Sequence, residues 1–153
     1  MISKVTLVFF FLTMLNSRRL CGSSRILKEG ESATGFQYDS GAAWAILCKG
    51  TPWGNIPGKL DNRKGAYYSW GGVEKPCESY DIVNGILVYY TEPLPECCAP
   101  RGYQTNDSQN YYNAIIVSND GNVPGKADAS RTNAWYPYDT HEHHVTAGFY
   151  IIC

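Results

Sequence analysis

Charge is scarce in this sequence, and it is nearly balanced. Only 18% of the 153 residues are charged, and 13 lysines and arginines face 14 acidic residues, which gives a formal net charge of −1. Proteins that bind DNA or RNA normally carry a basic face, so this balance argues against a nucleic-acid partner. Aromatic residues reach 14%, and 15 glycines and 8 prolines are scattered between short apolar runs. This composition excludes a disordered chain, a coiled coil and a collagen, and it favours a β-rich globular domain.

Long hydrophobic runs are lacking as well. The apolar run at residues 5–15 has eleven residues, which as a helix would span roughly 16 Å, about half of the hydrocarbon core of a bilayer. Lys4 precedes this run and Ser17 follows it, a pattern typical of a secretory signal peptide. The sequence therefore predicts a signal peptide at residues 1–17, a secreted extracellular protein and no membrane anchor. The alternative is a buried apolar segment at the N-terminus.

Paired CxxC motifs, which would suggest zinc, are absent, so the cysteines are interpreted as disulfide partners. Cleavage after Ser17 leaves an even set with 15 possible pairings, whereas cleavage after Gly22 leaves an odd thiol, so we expect a mature start near Arg18. A disulfide between adjacent cysteines is strained, so neighbours 97 and 98 are expected to bond two different partners. The disulfide candidates are Cys21, Cys48, Cys77, Cys97, Cys98 and Cys153.

No window of eleven or more residues carries the apolar period of an α-helix, so the sequence predicts an all-β fold. Strands are expected where β-branched and aromatic residues cluster. Asn84-Gly85 lies between two of these segments and predicts a two-residue hairpin. The predicted strands are residues 43–48, 66–70, 79–83, 86–91, 111–117, 134–138 and 147–152.

An internal repeat organises the chain. The segment GNIPGK at residues 54–59 recurs 67 positions later as GNVPGK at residues 121–126, and GFQ at 35–37 recurs at the same offset as GYQ. Each copy is too small to be stable alone, so we expect two tandem repeats packed as one pseudo-twofold, disulfide-stapled domain. The expected segments are a polar N-terminal stretch at 18–34, repeat one at 35–91, a Pro/Cys-rich connector at 92–101 and repeat two at 102–153.

Each Pro-Gly pair inside the repeated motif predicts a type II turn, with proline at the second position and glycine at the third. A rigid turn would aim the lysine that follows it, Lys59 in the first copy and Lys126 in the second, at little entropic cost. The repeated lysines are therefore candidate ligand-binding groups.

These motifs resemble the DM-nine repeat family, which occurs in tandem in invertebrate proteins and in natterin-like proteins. The resemblance covers residues 35–83 and 102–152, and it is carried by the PGK motifs, by the aromatic strand after each, and by Glu74 and Glu142. It implies a mannose-type lectin of two repeats that is able to dimerise. In such lectins the PGK lysine and an acidic residue after the Gly-aromatic pair contact the sugar. This chain departs from that pattern, because Gln37 and Gln104 stand at the acidic positions.

A carbohydrate-binding recognition protein for microbial or host glycans is therefore the predicted function, with no cofactor. Neutral sugars are bound by amides, carboxylates and ammonium groups, with an aromatic face against their C–H side. The candidate ligand-binding residues are Lys59, Lys126, Gln37, Gln104, Glu74 and Glu142. The candidate aromatic platforms are Trp53, Trp70, Trp135 and Tyr138.

Purely structural roles are the alternative for each of these groups. The lysines would then be solvated rim residues, the glutamines would bond strand edges, the aromatic rings would fill the core, and the glutamates would cap hairpins or pair with the lysines. The corresponding alternative function is a secreted structural or protein-interaction module that has lost sugar binding.

Other chemistries find little support in the sequence. The cluster His141-Glu142-His143-His144 is not an HExxH motif and has no counterpart in the first copy, so no metal site is expected. No GxSxG motif or repeated carboxylate pair is present, so the chain is not predicted to be an enzyme. Asn106-Asp107-Ser108 is an N-glycosylation sequon in a polar turn, which predicts glycosylation of Asn106. A pore-forming subunit is not favoured because the two repeats occupy the whole mature chain.

Overall fold

The computed structural model describes residues 33–153. The predicted signal peptide, Cys21 and nearly all of the predicted polar segment at 18–34 lie outside the described residues. Thirteen strands follow one another along the described chain. In chain order they are β1 Thr34–Gln37, β2 Gly41–Thr51, β3 Gly54–Asp61, β4 Gly65–Trp70, β5 Val73–Pro76, β6 Tyr80–Ile82, β7 Leu87–Tyr89, β8 Gly102–Gln104, β9 Gln109–Ser118, β10 Gly121–Asp128, β11 Ala134–Tyr138, β12 His141–Val145 and β13 Phe149–Ile152.

The predicted all-β, pseudo-twofold class is confirmed. The strands form a closed eight-stranded antiparallel barrel with additional strands, and no helix occurs between residues 33 and 153. The sheet closes on itself because β2 pairs with β3 as well as with β1, and β10 pairs with β9 as well as with β11. Such closure leaves few unpaired strand edges.

The strand pairings of the first copy recur in the second. The pairings β1–β2, β2–β3, β3–β4, β4–β5 and β2–β6 have the counterparts β8–β9, β9–β10, β10–β11, β11–β12 and β9–β13. The copies are joined by two equivalent pairings, β1 with β10 and β8 with β3, and also by β5 with β12 and by β7 with β13. The two repeats therefore share one sheet and one interior.

The core is built around the central strands β3 and β10 and the strands that pair with them. Ile56 on β3 and Val123 on β10 stand at the same position of the repeated motif, and both are fully buried. Ile46 on β2 and Ile116 on β9 pack from the neighbouring strands and are also fully buried. Burial does not alternate along β3 and β10, because residues 56–59 and 123–127 are buried in unbroken runs, so both faces of these two strands are covered.

The prediction that the Pro-Gly pairs form type II turns is wrong. Both pairs lie inside long strands, β3 and β10, and neither Gly58 nor Gly125 has a positive φ. A Cβ on Gly58 would overlap the carbonyl oxygen of Tyr67, and one on Gly125 would overlap that of Trp135. The repeated glycine is therefore required for close approach of the adjacent strand rather than for a bend.

The predicted hairpin at Asn84-Gly85 is also wrong. The strand before it, β6, pairs with β2, and the strand after it, β7, pairs with β13. Gly85 instead lies against the C-terminus, where an added Cβ would be 2.6 Å from the carbonyl oxygen of Cys153. Its lack of a side chain allows this backbone contact, which the dipeptide pattern does not distinguish from a tight turn.

Disulfide bonds link parts of the chain that are far apart in sequence. Cys48 bonds Cys77 within the first copy, and Cys98 bonds Cys153, which joins the connector to the C-terminus. Cys97 is also disulfide-bonded. The adjacent cysteines therefore have different partners, as predicted. These bonds are compatible with an extracellular protein, since disulfides persist in oxidising compartments. Within residues 33–153, no helix has the length and apolar character needed to cross a membrane.

Candidate functional site

Lys126 occupies the middle of β10, and its side chain is almost completely buried. The residue is 4% exposed, although lysine is rarely buried unless it is paired. Its Nζ donates hydrogen bonds to the carbonyl oxygen of Ser69 at 2.9 Å and to Oε1 of Gln104 at 2.7 Å. Oε2 of Glu142 lies 3.2 Å from the same nitrogen. Three acceptors therefore surround an ammonium group that has three donors.

Aromatic rings enclose the remaining directions around this ammonium group. The ring centres of Tyr111, Trp70 and Trp135 lie 5.5, 5.6 and 5.7 Å from Lys126 Nζ. A cation within about 6 Å of an aromatic face gains roughly 0.5–2 kcal/mol, with the larger values at desolvated positions. The rings therefore help to hold a positive charge that has little contact with water.

Two opposing effects act on the pKa of Lys126. Burial lowers the pKa of Lys126 below its ordinary value of 10.5, whereas attraction to Glu142 and the hydrogen bond with it act in the opposite direction. Removing a charge from water is costly unless a partner of opposite charge and hydrogen bonds compensate. The residue pair is therefore a fixed electrostatic element of the fold, and not a flexible surface contact.

These groups line an open pocket of about 260 Å³. Its size lies just below the roughly 300–1,000 Å³ typical of sites for drug-sized ligands, so it suits a smaller ligand. The polar part of the wall comes from Lys126, Gln104, Glu142 and Asn106, and the apolar part comes from Trp70, Trp135 and Tyr111. Amide, carboxylate and ammonium groups thus face the same space as three aromatic rings.

The polar wall is held in place by a chain of hydrogen bonds. Nε2 of Gln104 donates to Oδ2 of Asp107 at 3.1 Å, and the hydroxyl of Tyr111 donates to the same oxygen at 2.8 Å. These contacts orient the Gln104 amide so that its oxygen faces Lys126. Burial, followed by the hydrogen bond and charge of Asp107, raises the pKa of Tyr111 well above 10. The phenol therefore remains a donor throughout the neutral range.

Both tryptophan walls are supported from behind. Trp53 stacks on Trp70 with ring centres 4.7 Å apart and planes 7° from parallel, and His144 stacks on Trp135 at 5.3 Å. Trp53 does not line the pocket, so its place is behind the platform and not on its surface. Such stacking lowers the cost of holding a large ring at a fixed angle beside solvent.

The first copy builds a related cluster around Lys59. This lysine is 2% exposed, its Nζ lies 3.3 Å from Oε2 of Glu74, and the ring of Tyr138 is 5.4 Å away. Burial lowers the pKa of Lys59, and the charge of Glu74 opposes that effect. The lysine–glutamate pairing that was one alternative for these residues is therefore present in both copies, and neither lysine is a solvated rim residue.

Gln37 makes different contacts from Gln104. Its Nε2 donates to Asp61 at 2.9 Å, to Ser40 at 3.0 Å and to Asp39 at 3.2 Å, while its Oε1 is buried without a hydrogen-bond partner among residues 33–153. In the second copy the corresponding oxygen accepts from the lysine. The two clusters are thus related in composition but differ in hydrogen bonding.

Each cluster takes one wall from the other repeat. Trp70 and the carbonyl of Ser69, from β4 of the first copy, lie against Lys126, and Tyr138, from β11 of the second copy, lies against Lys59. The exchange is fixed by contacts between the two hairpin tips. There the Glu74 amide donates to the Thr140 carbonyl at 3.0 Å, and the Glu142 amide donates to the Gly72 carbonyl at 2.9 Å.

The structure thus places the candidate residues in two groups. Lys126, Gln104, Glu142, Trp70 and Trp135 come together around one pocket. The other group contains Lys59, Glu74 and Tyr138, with Gln37 hydrogen-bonded to Asp61 at the end of the same strand.

Sequence reasoning missed Ser69, Asp107 and Tyr111. A signal for Asp107 was present, since an aspartate follows the repeated glutamine within three positions in both copies. Ser69 contributes a backbone carbonyl, which no side-chain pattern can indicate.

A larger pocket of about 550 Å³ lies beside the Cys48–Cys77 disulfide. Lys49, Tyr68 and Glu78 are among its lining residues, and none of the six candidate ligand-binding residues reaches it. It lacks the stacked aromatic walls that distinguish the Lys126 pocket.

The histidine cluster is occupied by contacts within the protein. Nε2 of His143 lies 3.0 Å from the Tyr138 carbonyl, and Nε2 of His144 lies 2.7 Å from Oδ1 of Asn133. In the described part of the chain, no group of three or more histidine, cysteine or acidic side chains is arranged to hold a metal ion.

Comparison of the chain with family models, with curated proteins and with solved structures found no match. Any inference about a ligand must therefore rest on the chemistry of the clusters themselves.

Proposed function

We propose that this chain is a secreted carbohydrate-binding protein of the DM-nine repeat type, and that the Lys126 pocket receives one sugar residue of a glycan. The observation that carries the proposal is the composition of that pocket, where Trp70 and Trp135, each backed by another stacked ring, share the wall with the amide residue Gln104 and the carboxylate residue Glu142. A hexose has an apolar C–H face and a rim of hydroxyls, so it needs both kinds of wall. The predicted signal peptide and the disulfides support export.

Lys126 acts in this proposal by organising the pocket. Its ammonium group donates hydrogen bonds to Ser69 and Gln104 and forms an ion pair with Glu142, so it positions the amide and the carboxylate beside the pocket. Oε1 of Glu142 accepts from the Gly72 amide at 3.3 Å, which fixes the carboxylate plane. Hydroxyls of a sugar would bond to Glu142 and Asn106, with a ring against Trp135 or Trp70.

Two clusters per chain would also permit binding to branched or repeated glycans. Linking two weak sites raises the overall affinity because the second contact is intramolecular. Mannose-type sugars are the first ligands to test, as the family resemblance implies.

The test uses protein that carries no N-linked glycan, and it measures retention on immobilised mannan and elution by free mannose, together with titration of tryptophan fluorescence. Trp135→Ala is expected to lower affinity by roughly 10-fold or more, which corresponds to a loss of about 1.4 kcal/mol. Trp44→Ala is the matched control, because Trp44 does not line the pocket. Equal retention of the two folded variants would refute the assignment of the site.

A second function is favoured by one observation. Because Lys126 already has two hydrogen-bond acceptors and a carboxylate partner within the protein, the cluster is also consistent with a structural element of a protein-interaction module. If the folded protein without N-linked glycans does not bind any sugar on a broad glycan array, and its tryptophan fluorescence does not change on addition of mannose, that function would be favoured over the lectin.

A further inference from the structure

Asn106 belongs both to the predicted glycosylation sequon and to the wall of the Lys126 pocket. It is exposed in the turn between β8 and β9, and it is one of the residues that line the pocket. A sequon needs an accessible asparagine in a flexible or turn-like segment, and this one meets that requirement. The residue that would carry a glycan therefore also borders the space that would receive a sugar.

The position of this amide is fixed by the residues on either side of it. The Thr105 amide and hydroxyl both bond to the Trp53 carbonyl, at 2.8 and 3.0 Å. Asp107 is held by Tyr111 and, through its other oxygen, accepts from the Gln109 amide at 3.0 Å. The turn is therefore anchored on both sides, which leaves the Asn106 side chain with a restricted range of directions.

We propose that Asn106 carries an N-linked glycan whose first sugar covers the mouth of the Lys126 pocket, so that the glycosylated form is closed to other sugars. The pocket, at about 260 Å³, has room for a single small ligand. A sugar attached to one wall and a free sugar would therefore compete for the same space. The effect on binding rests on the proposed function, whereas attachment of the glycan rests only on export.

The modification follows ordinary transferase chemistry. Nδ2 of Asn106 forms a bond to C1 of the first sugar of a lipid diphosphate-linked oligosaccharide, and the bond between C1 and the phosphate oxygen breaks. The lipid diphosphate leaves with the electron pair, and the amide nitrogen gives up one proton. No oxidant or reductant is needed, and the oligosaccharide donor is a general component of the secretory pathway.

The first measurement is occupancy. The full chain is produced with its own N-terminus in secreting eukaryotic cells, and its intact mass is determined before and after treatment with a peptide N-glycosidase. We expect the mass of one oligosaccharide to be lost, and we expect neither Ser108→Ala nor Asn106→Gln to carry it. Ser108→Ala is the closer control because it removes the sequon and keeps Asn106. An unmodified wild-type chain would overturn the proposal.

The second measurement asks whether the glycan covers the pocket. Quenching of tryptophan fluorescence by acrylamide should be weaker in the glycosylated chain than in Ser108→Ala, and it should rise when the glycan is removed enzymatically. This readout does not depend on sugar binding, so it stands even if the proposed function fails. Equal quenching in both forms would show that the glycan points away, and it would overturn the proposal.

The third measurement joins the two proposals. If the pocket binds mannose, Ser108→Ala should bind at least roughly 10-fold more tightly than the glycosylated chain at this pocket, a difference of about 1.4 kcal/mol. Equal affinities would contradict closure of the pocket. If neither form binds mannose while quenching still differs, the lectin proposal fails and the glycan cover remains.

Discussion

Replacement of Lys126 by methionine tests whether the buried cluster stabilises the protein. Methionine has a similar length and no charge, so the change removes the ammonium group and leaves most of the volume. Glu142 then loses its counter-ion, and Gln104 and Ser69 lose a donor. The side chains of Lys126 and Glu142 are only 5% and 12% exposed, so water cannot replace the lost contacts fully.

A matched pair on the surface gives the expected contrast. Lys49 and Asp81 lie closer together, at 2.8 Å, but their side chains are 47% and 63% exposed. Breaking a buried pair by removing one partner costs about 3–5 kcal/mol, whereas an exposed pair contributes roughly 0–1 kcal/mol. We therefore expect Lys126→Met to lower the free energy of unfolding by about 3–5 kcal/mol, and Lys49→Met to lower it by less than about 1 kcal/mol.

The assay is urea unfolding at pH 7, followed by circular dichroism, with thermal unfolding as a second measure. A loss of 1 kcal/mol shifts Tm by roughly 2–8 °C in domains of this size range, so the two variants should differ clearly. Adding Glu142→Gln to Lys126→Met should restore part of the loss, because a neutral amide no longer needs a counter-ion. If Lys126→Met and Lys49→Met cost the same, burial of the pair does not contribute as argued.

Three further predictions concern the groups around the clusters. Gln104→Glu places a carboxylate oxygen about where Nε2 now lies 3.1 Å from Asp107. Since like charges raise a carboxyl pKa, this variant should be less stable at pH 7 and should regain stability as the pH falls toward 5. Urea unfolding at several pH values measures this change. Because the pKa of Tyr111 is raised in the folded state, its contribution to folding stability is complete below pH 10 and is lost as the pH rises. Tyr111→Phe should therefore reduce the loss of stability at alkaline pH. It should also remove the last tyrosine to ionise in an absorbance titration. Burial alone would raise the pKa of Asp39, but hydrogen bonds from Lys64 and from residues close to Asp39 in the sequence lower it to about 2. NMR titration should therefore find this carboxylate ionised at pH 3, and Lys64→Met should move its pKa back toward 3.8.

The all-β class and several strands were predictable because their side chains alternate or cluster in β-favouring residue types. The predicted strand at 134–138 coincides with β11, and the one at 66–70 differs from β4 by one residue. The repeat itself indicated the pseudo-twofold arrangement, since two similar segments that cannot fold alone must share a core. Sequence pattern was sufficient for these features because they depend on residue types that are close together in the chain or on the repeat itself.

The strands through the PGK motifs were not predicted, because proline and glycine are more common in turns than in strands. Here proline needs no ladder partner for its nitrogen, and glycine admits the neighbouring backbone, so the motif fits a crowded strand. That requirement arises from the approach of Tyr67 and Trp135, which only the assembled sheet reveals. The burial of the two lysines was missed for the same reason.

The members of each cluster were largely predictable, but their grouping was not. Repetition singled out Lys126, Gln104 and Glu142, whose chemistry is complementary. The place of Trp70 beside Lys126 depends on how the β4–β5 and β11–β12 hairpins meet, which is a long-range property of the sheet. Spacing within one copy contains no information on a wall supplied by the other.

The exchange of walls also bears on how such a protein can arise. A single repeat lacks one ring beside its own lysine, Trp70 in the case of Lys126 and Tyr138 in the case of Lys59, so by itself it would complete neither cluster. Two identical copies related by a twofold axis would complete both, since each would lend its aromatic residue to the other. Fusion of such a pair into one chain would free the copies to differ, yet a change at Trp70 or Tyr138 would still be felt in the opposite half.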